Sequence, residues 1–267
     1  MADDWRQVVR WYHHACNLRL KRFLMPRGDM LLDAASGAVQ FQDYIALSDG
    51  YRRHVCVDFS RSALREARDR LGDKALCVQA DVTALPFRDD TFDAVASLHT
   101  IYHVPAAEQP LAFRELHRTL RPGRSGVVVY AQDRHPGHPL PRWIVRLLLR
   151  SSRLAARLRS PNLPRSSPPP GLYFEPLPLD EVETTLRALG VSFTTRAWRT
   201  LSVSFTRLVI PDNAFGAALL RWVFAVENLF PERCGKRASY PTFVLTKPRG
   251  ATSLEATRSR EVLETGA

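Results

Sequence analysis

Met30-Leu31-Leu32-Asp33-Ala34-Ala35-Ser36-Gly37-Ala38 decides the fold. Three apolar residues predict a short buried strand that ends at a carboxylate, Asp33, and a loop of small residues follows. A strand halted by an acidic residue and a tight small-residue turn is how a doubly wound α/β domain opens its ligand crevice. Upstream, Trp5, Val8, Val9, Tyr12, Cys16, Leu20 and Phe23 share one face of a helix over 3–24, with Asp3 or Asp4 as its cap, and Pro26 and Gly28 end it. Downstream, 40–47 suits a first crossover helix.

The pattern then repeats. Short apolar strands are expected at 54–57, 76–78, 92–98 and 127–130, the first two ending at Asp58 and near Asp81. Between them lie a helix over 61–71 capped by Ser60 and closed by Gly72, a helix over 106–120, and a Pro122-Gly123 turn. Strands alternating with helices at this pitch give a mostly parallel sheet covered on both faces, with right-handed crossovers. Beyond Tyr130 the alternation breaks. Residues 132–141 form a loop, 142–159 a basic helical stretch, and the proline-rich 160–170 no regular structure. Asp180 with Glu183 resembles a capping box for a helix ending at Gly190. Strands are expected at 191–198, 201–210 and 240–246, and a helix at 213–229. The expected organisation is one domain over 1–249: N-terminal helix 1–28, cofactor half 30–131, lid or substrate-recognition insertion 132–178, C-terminal half 179–249. A disordered tail, 250–267, follows.

Composition narrows the class. The net charge of +11 is uneven: 18 basic against 16 acidic residues in 1–131, and 20 against 11 in 132–267. The four cysteines are scattered without a CxxC pair, which fits reduced thiols and argues against a zinc site. No apolar run approaches the ~20 residues of a membrane span, and the charged N-terminus lacks a secretory pattern. A cytoplasmic protein is expected.

Asp33, Asp58 and Asp81 stand 25 and 23 residues apart, each after a strand. All three would line the carboxyl edge of neighbouring strands, where Asp58 suits ribose hydroxyls and Asp81 an adenine amino group. After the fourth strand come Ser97-Leu98-His99-Thr100-Ile101-Tyr102-His103. His99 and His103 are candidate bases and, if helical, share a face that would also suit a metal. Arg142, Arg146, Arg150, Arg153 and Arg157 step by 4, 4, 3 and 4, a basic stripe opposite Trp143, Ile144, Leu147, Leu148 and Leu154. That pattern suits either an anionic membrane surface or a solvated stripe. A nucleic-acid partner is disfavoured by the absence of a recognisable RNA-binding module.

Asp33-x-x-x-Gly37, Val57-Asp58-Phe59-Ser60, Ala80-Asp81-Val82-x-x-Leu85-Pro86-Phe87, Phe92-Asp93-Ala94-Val95 and Leu116-x-x-x-Leu120-Arg121-Pro122-Gly123 resemble, in order and spacing, the motifs of class I S-adenosylmethionine-dependent methyltransferases. The similarity is to the quinone and small-molecule branch and runs from about Met30 to Tyr130. It implies a Rossmann-like, seven-stranded sheet whose last strand is antiparallel, here with an inserted basic lid. It also implies S-adenosylmethionine as cofactor, with Asp33, Ala35 and Gly37 at its methionine part, Asp58 and Phe59 at the ribose, Asp81 and Val82 at the adenine, and Ser97 nearby. His99 or His103 would serve as base, and Tyr102, Arg142 and Arg146 would meet a small-molecule or lipid- or glycan-linked acceptor.

The first motif departs from the family pattern Asp-x-Gly-x-Gly-x-Gly, whose glycines are here Ala35, Gly37 and Val39. A Cβ where φ is positive costs on the order of 1 kcal/mol. A non-catalytic binding or partner protein on the same fold is therefore the alternative, and an RNA methyltransferase the third reading. Neither the acceptor atom nor the oligomeric state is encoded in a motif.

Overall fold

Leu31, Leu32 and Ala34 are fully buried because the strand that carries them lies inside the sheet, with partners on both edges and helices on both faces. In the computed structural model, which describes residues 6–132 and 173–249, this strand is β1 (Gly28–Ala34). It is followed by α2 (Gln42–Ala46), β2 (Tyr51–Asp58), α3 (Arg61–Leu71), β3 (Ala75–Gln79), β4 (Phe92–Leu98), α4 (Gln109–Thr119) and β5 (Leu120–Val129). After the segment outside the description come α5 (Leu179–Ala188), β6 (Ser192–Arg199), α6 (Val203–Val209), α7 (Ala214–Leu229), α8 (Pro231–Gly235) and β7 (Tyr240–Lys247); α1 (Gln7–Leu20) precedes them all.

The seven strands lie in the order β3-β2-β1-β4-β5-β7-β6. Strands β1 to β5 are mutually parallel, and β7 runs antiparallel to both β5 and β6. The expected doubly wound, mostly parallel seven-stranded sheet is the observed one. The order reverses between β1 and β4, which makes that the topological switch point where such sheets bind ligands. One large core cluster runs from Val9 on α1 to Leu245 on β7. Among the described residues no helix is long and apolar enough to cross a membrane.

Two clamps hold the motif segments in the fold. Asp93 is buried at the amino end of β4 and accepts from the Asp29 and Met30 N–H groups at 2.8 and 3.3 Å and from Arg121 at 3.0 Å. Burial pushes its pKa up, but the two N–H groups and Arg121 outweigh that and hold it below the ordinary carboxylate range. Glu115 accepts from the Leu85 N–H at 2.9 Å, and Arg118 donates to the Phe87 and Leu85 carbonyls at 2.8 and 3.1 Å. The Leu85-Pro86-Phe87 turn is thus fastened to α4.

Several expectations are corrected. β1 runs through Asp33 and Ala34, so Asp33 lies inside the strand. The first crossover helix is only five residues long. The N-cap of α1 is Arg6, with no side-chain cap, while Asp3 and Asp4 lie outside the described residues. Pro122-Gly123 is absorbed into β5, whose register against β4 shifts between Phe92 and Ala94. Gly123, at φ +75°, supplies the conformation that irregularity needs. The Asp180 cap does not form: the N-cap is Pro178, and Glu183 instead accepts from Thr195 on β6 at 2.7 Å.

The largest correction is at 201–210, expected as a strand and found as helix α6. Its alternation of small polar and apolar residues fits either period, and the bonds at the two ends decide, a local cap at the first turn and a distant arginine at the last. Ser202 Oγ accepts from the Phe205 N–H at 3.1 Å, and Arg6 donates to the Thr206 and Ile210 carbonyls at 2.7 and 2.5 Å. The basic stretch 142–159, including Arg142 and Arg146, lies outside the described residues, as do the proline-rich 160–170 and the tail 250–267.

Candidate active site

Asp58 is the joint of the carboxyl edge. As the last residue of β2 it reaches back under the first loop, where its Oδ2 accepts from the Gly37 N–H at 2.9 Å. Its Oδ1 accepts from the Ser60 N–H at 2.8 Å, two residues on. One carboxylate therefore ties the β1 loop to the start of α3, and each oxygen keeps capacity for a second donor. The loop is also held by the Ser36 N–H to the Val57 carbonyl at 3.0 Å.

Ala35, Gly37 and Val39 all have positive φ, +53°, +56° and +48°. The loop keeps the left-handed conformation of a glycine-rich turn although two of its three glycine positions carry a Cβ. The strain is real and is compensated differently at each. A Cβ on Gly37 would meet nothing within 4 Å, so the approach to that residue is open. Val39 is buried in a small cluster with Cys56, Leu64 and Ala67, and its side chain points into the protein rather than across the crevice. Ala35→Gly is expected to stabilise the chain by up to ~1 kcal/mol through strain relief. Val39→Gly gains the same relief but forfeits ~1.5–3 kcal/mol of burial plus backbone entropy, leaving the chain about 1–2 kcal/mol less stable. Thermal melts of the two variants test the contrast, and equal shifts would refute it.

Asp33 does not face the crevice freely. It is buried and its Oδ2 lies 3.2 Å from His54 Nε2, while His54 Nδ1 lies 3.0 Å from Ser48 Oγ. Asp81 is exposed after β3, and both of its recorded bonds, from the Thr83 N–H and Oγ1–H at 2.8 Å, fall on Oδ1. Oδ2 is left to an incoming donor. Beside it, Val82 is buried and Phe59 is 76% exposed, a high value for an aromatic ring at a crevice. Ser97 is buried and exchanges a 2.7 Å bond with Thr100 Oγ1. Asp58, Asp81, Phe59 and the open Gly37 approach together fit a nucleoside with a ribose diol and an exocyclic amine.

The two histidines diverge. His99 leaves β4 at φ +62°, and the 3-10 turn Ile101–His103 begins only afterwards. They therefore do not share a helix face. Among the described residues no three metal-ligating side chains converge. His99 packs edge-on to Trp198 and Tyr240, at 4.4 and 5.5 Å between ring centroids, and its buried Nε2 has no hydrogen-bond partner among the described residues. Burial, then the neighbouring His13, Arg199 and His103, push its pKa down to about 3. It is neutral at pH 7 and a weak proton acceptor.

His103 Nδ1 lies 2.5 Å from the Tyr173 carbonyl. A carbonyl only accepts, so Nδ1 carries the proton and Nε2 presents the lone pair. Tyr102 is buried among His103, Tyr130 and Phe174, packed rather than facing outward.

The depressed His99 pKa has a sign. The unfolded imidazole binds a proton as pH falls below about 6.5, the folded one only near 3. Its contribution is complete above pH 6.5 and is lost as pH falls toward 3. His99→Gln is expected to flatten the acid side of a melting-temperature profile over that window. His103 and His117, whose pKa values burial also lowers, share the remaining slope.

Residues that the sequence reading did not place at the site complete the wall. Trp198, Arg199 and Tyr240, at the carboxyl end of β6 and the start of β7, sit against His99. Trp198 Nε1 donates to Asn17 on α1 at 3.0 Å. The chain leaves the described residues at Gln132, whose N–H bonds the Ser239 carbonyl, and re-enters at Tyr173 over His103. Both ends of the insertion thus flank this edge.

Residues 32–128 match the family model described as a methyltransferase domain. A demethylmenaquinone methyltransferase of Clavibacter sepedonicus is 37% identical over 117 residues, 43% of this chain and 45% of that protein. The chain thus spans about half the length of the curated relatives it matches. Among solved structures, the chain is similar to one of a complex between the Haloferax volcanii Trm112 methyltransferase activator and a methyltransferase. The TM-score is 0.55 at 17% identity, over 93% of this chain and 100% of that one. It is similar also to the [4+2]-cyclase SpnF, with a TM-score of 0.52 at 20% identity, over 89% of this chain and 82% of that one. Likeness at these identities concerns the fold.

Proposed function

We propose that this chain, which carries a class I methyltransferase domain over residues 32–128, transfers a methyl group from S-adenosylmethionine to a small-molecule acceptor. The observation that carries the reading is Asp58, which bridges the first loop and α3 at the switch-point edge with oxygen lone pairs still available. The cofactor would supply an electrophilic sulfonium methyl group. Asp58 would accept from the two ribose hydroxyls, with Phe59 against the nucleoside. Asp81 Oδ2 would accept from the adenine amine beside Val82, and the Ala35–Gly37 loop would meet the methionine part, with Asp33 and Ser97 behind it.

The protein's remaining task is to align the acceptor and take its proton. His103 is the better-placed base, because its Nδ1–H is held by a carbonyl and its Nε2 is free to accept. His99, buried with a depressed pKa, orients rather than deprotonates. Arg142 and Arg146, in the insertion that leaves and rejoins this edge, would contact the acceptor. A quinone-like acceptor is supported by the Clavibacter relative, and a lipid-linked one would bring the basic stretch 142–159 against an anionic membrane from the cytoplasmic side.

Calorimetry with S-adenosylhomocysteine, followed by methyl transfer from labelled S-adenosylmethionine to demethylmenaquinol and to simpler phenols, tests the reading. Failure to bind at millimolar concentration would overturn it. Binding without turnover on any acceptor would favour a non-catalytic partner protein, the reading that the strained Ala35 and Val39 support.

A further inference from the structure

Arg199 is 3% exposed, and among the described residues its side chain has no recorded ion pair and its buried Nε no hydrogen-bond partner. Its guanidinium carbon lies 5.3 Å from the Trp198 ring and 5.0 Å from the Tyr240 ring. Those aromatic contacts engage the cation through their π-clouds, but they supply no acceptor for its N–H donors. The buried Nε has no partner.

The nearest built charge network does not neutralise it. Glu227 is 1% exposed and committed elsewhere: it accepts from Arg19 at 2.9 Å, Tyr12 at 2.5 Å, and the Thr200 N–H and Oγ1–H at 2.8 and 2.7 Å. Arg19 and Arg199 are two buried cations beside one buried carboxylate. A buried cation without a counter-charge is costly, and so is an unmade buried hydrogen bond.

Among the described residues, two further buried nitrogens without partners belong to the same edge, one against these rings and one on the chain beside Ser239. His99 Nε2 sits beside Trp198 and Tyr240, and Gln132, whose backbone is bonded to Ser239, buries an unpartnered Nε2. All three residues stand at the carboxyl ends of β4, β5 and β6, the edge where the acceptor would approach the cofactor crevice.

We propose that Arg199, with Gln132 and His99, forms an oxyanion-binding subsite, so that the acceptor carries a carboxylate, a phosphate or an ionised phenol or enol that the Arg199 donors hold. As an acceptor site this rests on the methyltransferase reading above; as an anion site it does not. The ring faces of Trp198 and Tyr240 beside it suit an aromatic or planar body attached to the anion. The subsite gives the acceptor a fixed end, which aligns its nucleophile without any group at the reacting atom.

The test uses benzoate and inorganic phosphate as probes, with benzamide as the neutral match, followed by calorimetry and thermal melts on the full chain. Benzoate or phosphate is expected to bind in the millimolar range and raise the melting temperature saturably, with benzamide at least tenfold weaker. Arg199→Met is expected to lose that binding at least tenfold and, without ligand, to melt no lower than the unmodified chain, because it removes an uncompensated cation. A purely structural arginine would instead leave a cavity and a lower melting temperature. Arg199→Lys, which keeps the charge, should restore part of the benzoate binding and covers the case in which the methionine variant does not fold.

S-adenosylhomocysteine affinity, measured in the same proteins, should not change. Equal binding of benzoate and benzamide, no binding of either anion, or anion binding that survives Arg199→Met would each overturn the subsite. Anion binding without S-adenosylhomocysteine binding would leave the subsite standing and refute the methyltransferase reading.

Discussion

Asp58→Ala is expected to weaken S-adenosylhomocysteine binding about 100-fold. Two charge-assisted hydrogen bonds to a ribose diol are worth ~1.5–3 kcal/mol each, and about 3 kcal/mol net is two powers of ten. The side chain also holds the Gly37 and Ser60 N–H groups, so the variant loses loop order as well as ligand contacts. Asp58→Asn separates the two effects. It keeps one acceptor oxygen but turns an amide N–H toward a backbone donor, so a loss between that of alanine and the unmodified chain is expected. Circular dichroism should show both variants folded, because the residue is only half-buried and lies outside the main core. Calorimetry giving unchanged affinity in a folded Asp58→Ala would remove the residue from the cofactor site, and with it the strongest support for the proposed function.

The second large effect concerns stability. Glu227→Ala is expected to cost about 3–5 kcal/mol, a major part of the ~5–15 kcal/mol that typically separates folded from unfolded chains. Glu227 joins three distant parts of the chain: Tyr12 and Arg19 on α1, Thr200 after β6, and its own helix α7. Truncation leaves Arg19 charged and buried without an acidic partner, held by the Trp198 carbonyl at 2.5 Å, long contacts to Asn228 and Cys16 Sγ at 3.4 and 3.6 Å, and the Phe224 ring.

Glu227→Gln keeps an acceptor for Thr200 and Tyr12 but drops the charge, and should lie between. The double replacement Arg19→Met with Glu227→Leu should recover most of the loss, since a buried pair exchanged for apolar residues of similar volume is often neutral. Urea unfolding of the unmodified chain, the two Glu227 single variants and the double replacement measures these differences. A Glu227→Ala cost under about 1 kcal/mol would show that the network is not a stabilising hub.

Some of this was legible residue by residue. The apolar runs at Leu31, Val55 and Phe92–Leu98 mark strands because strands buried on both faces need continuous apolar sequence, and they became β1, β2 and β4. Ser60 and Gly72 bound α3 because capping is a local matter, and the Ser60 Oγ accepts from the Ala63 N–H. The position of Asp58 at a strand end also followed from local pattern.

The errors share one cause. At 201–210 the residue pattern fits two periods, and the choice was made by Arg6, about 200 residues away, bonding the helix carbonyls. Asp33 was expected at the strand end and lies one residue inside β1, because strand ends are hard to place to one residue; His54 from the neighbouring strand holds its Oδ2. His99 and His103 looked alike in sequence, and only packing against Trp198 and the approach of Tyr173 made one a buried neutral ring and the other a half-buried ring held at Nδ1.

The sequence by itself marked the first five strands along the chain, the helix α3 with its caps and the acidic residues that follow β2 and β3, because those depend on local apolar runs, capping residues and a repeating strand-end carboxylate. It also marked Ala35 and Val39 as residues in the place of glycines. The tertiary structure alone decided that both adopt positive φ, that Val39 is accommodated by turning into the core, and that Arg199 lies buried near His99 with no ion-pair partner among the described residues. Those facts depend on which distant side chains meet at one edge, and burial and charge balance are properties of that meeting, not of any stretch of chain.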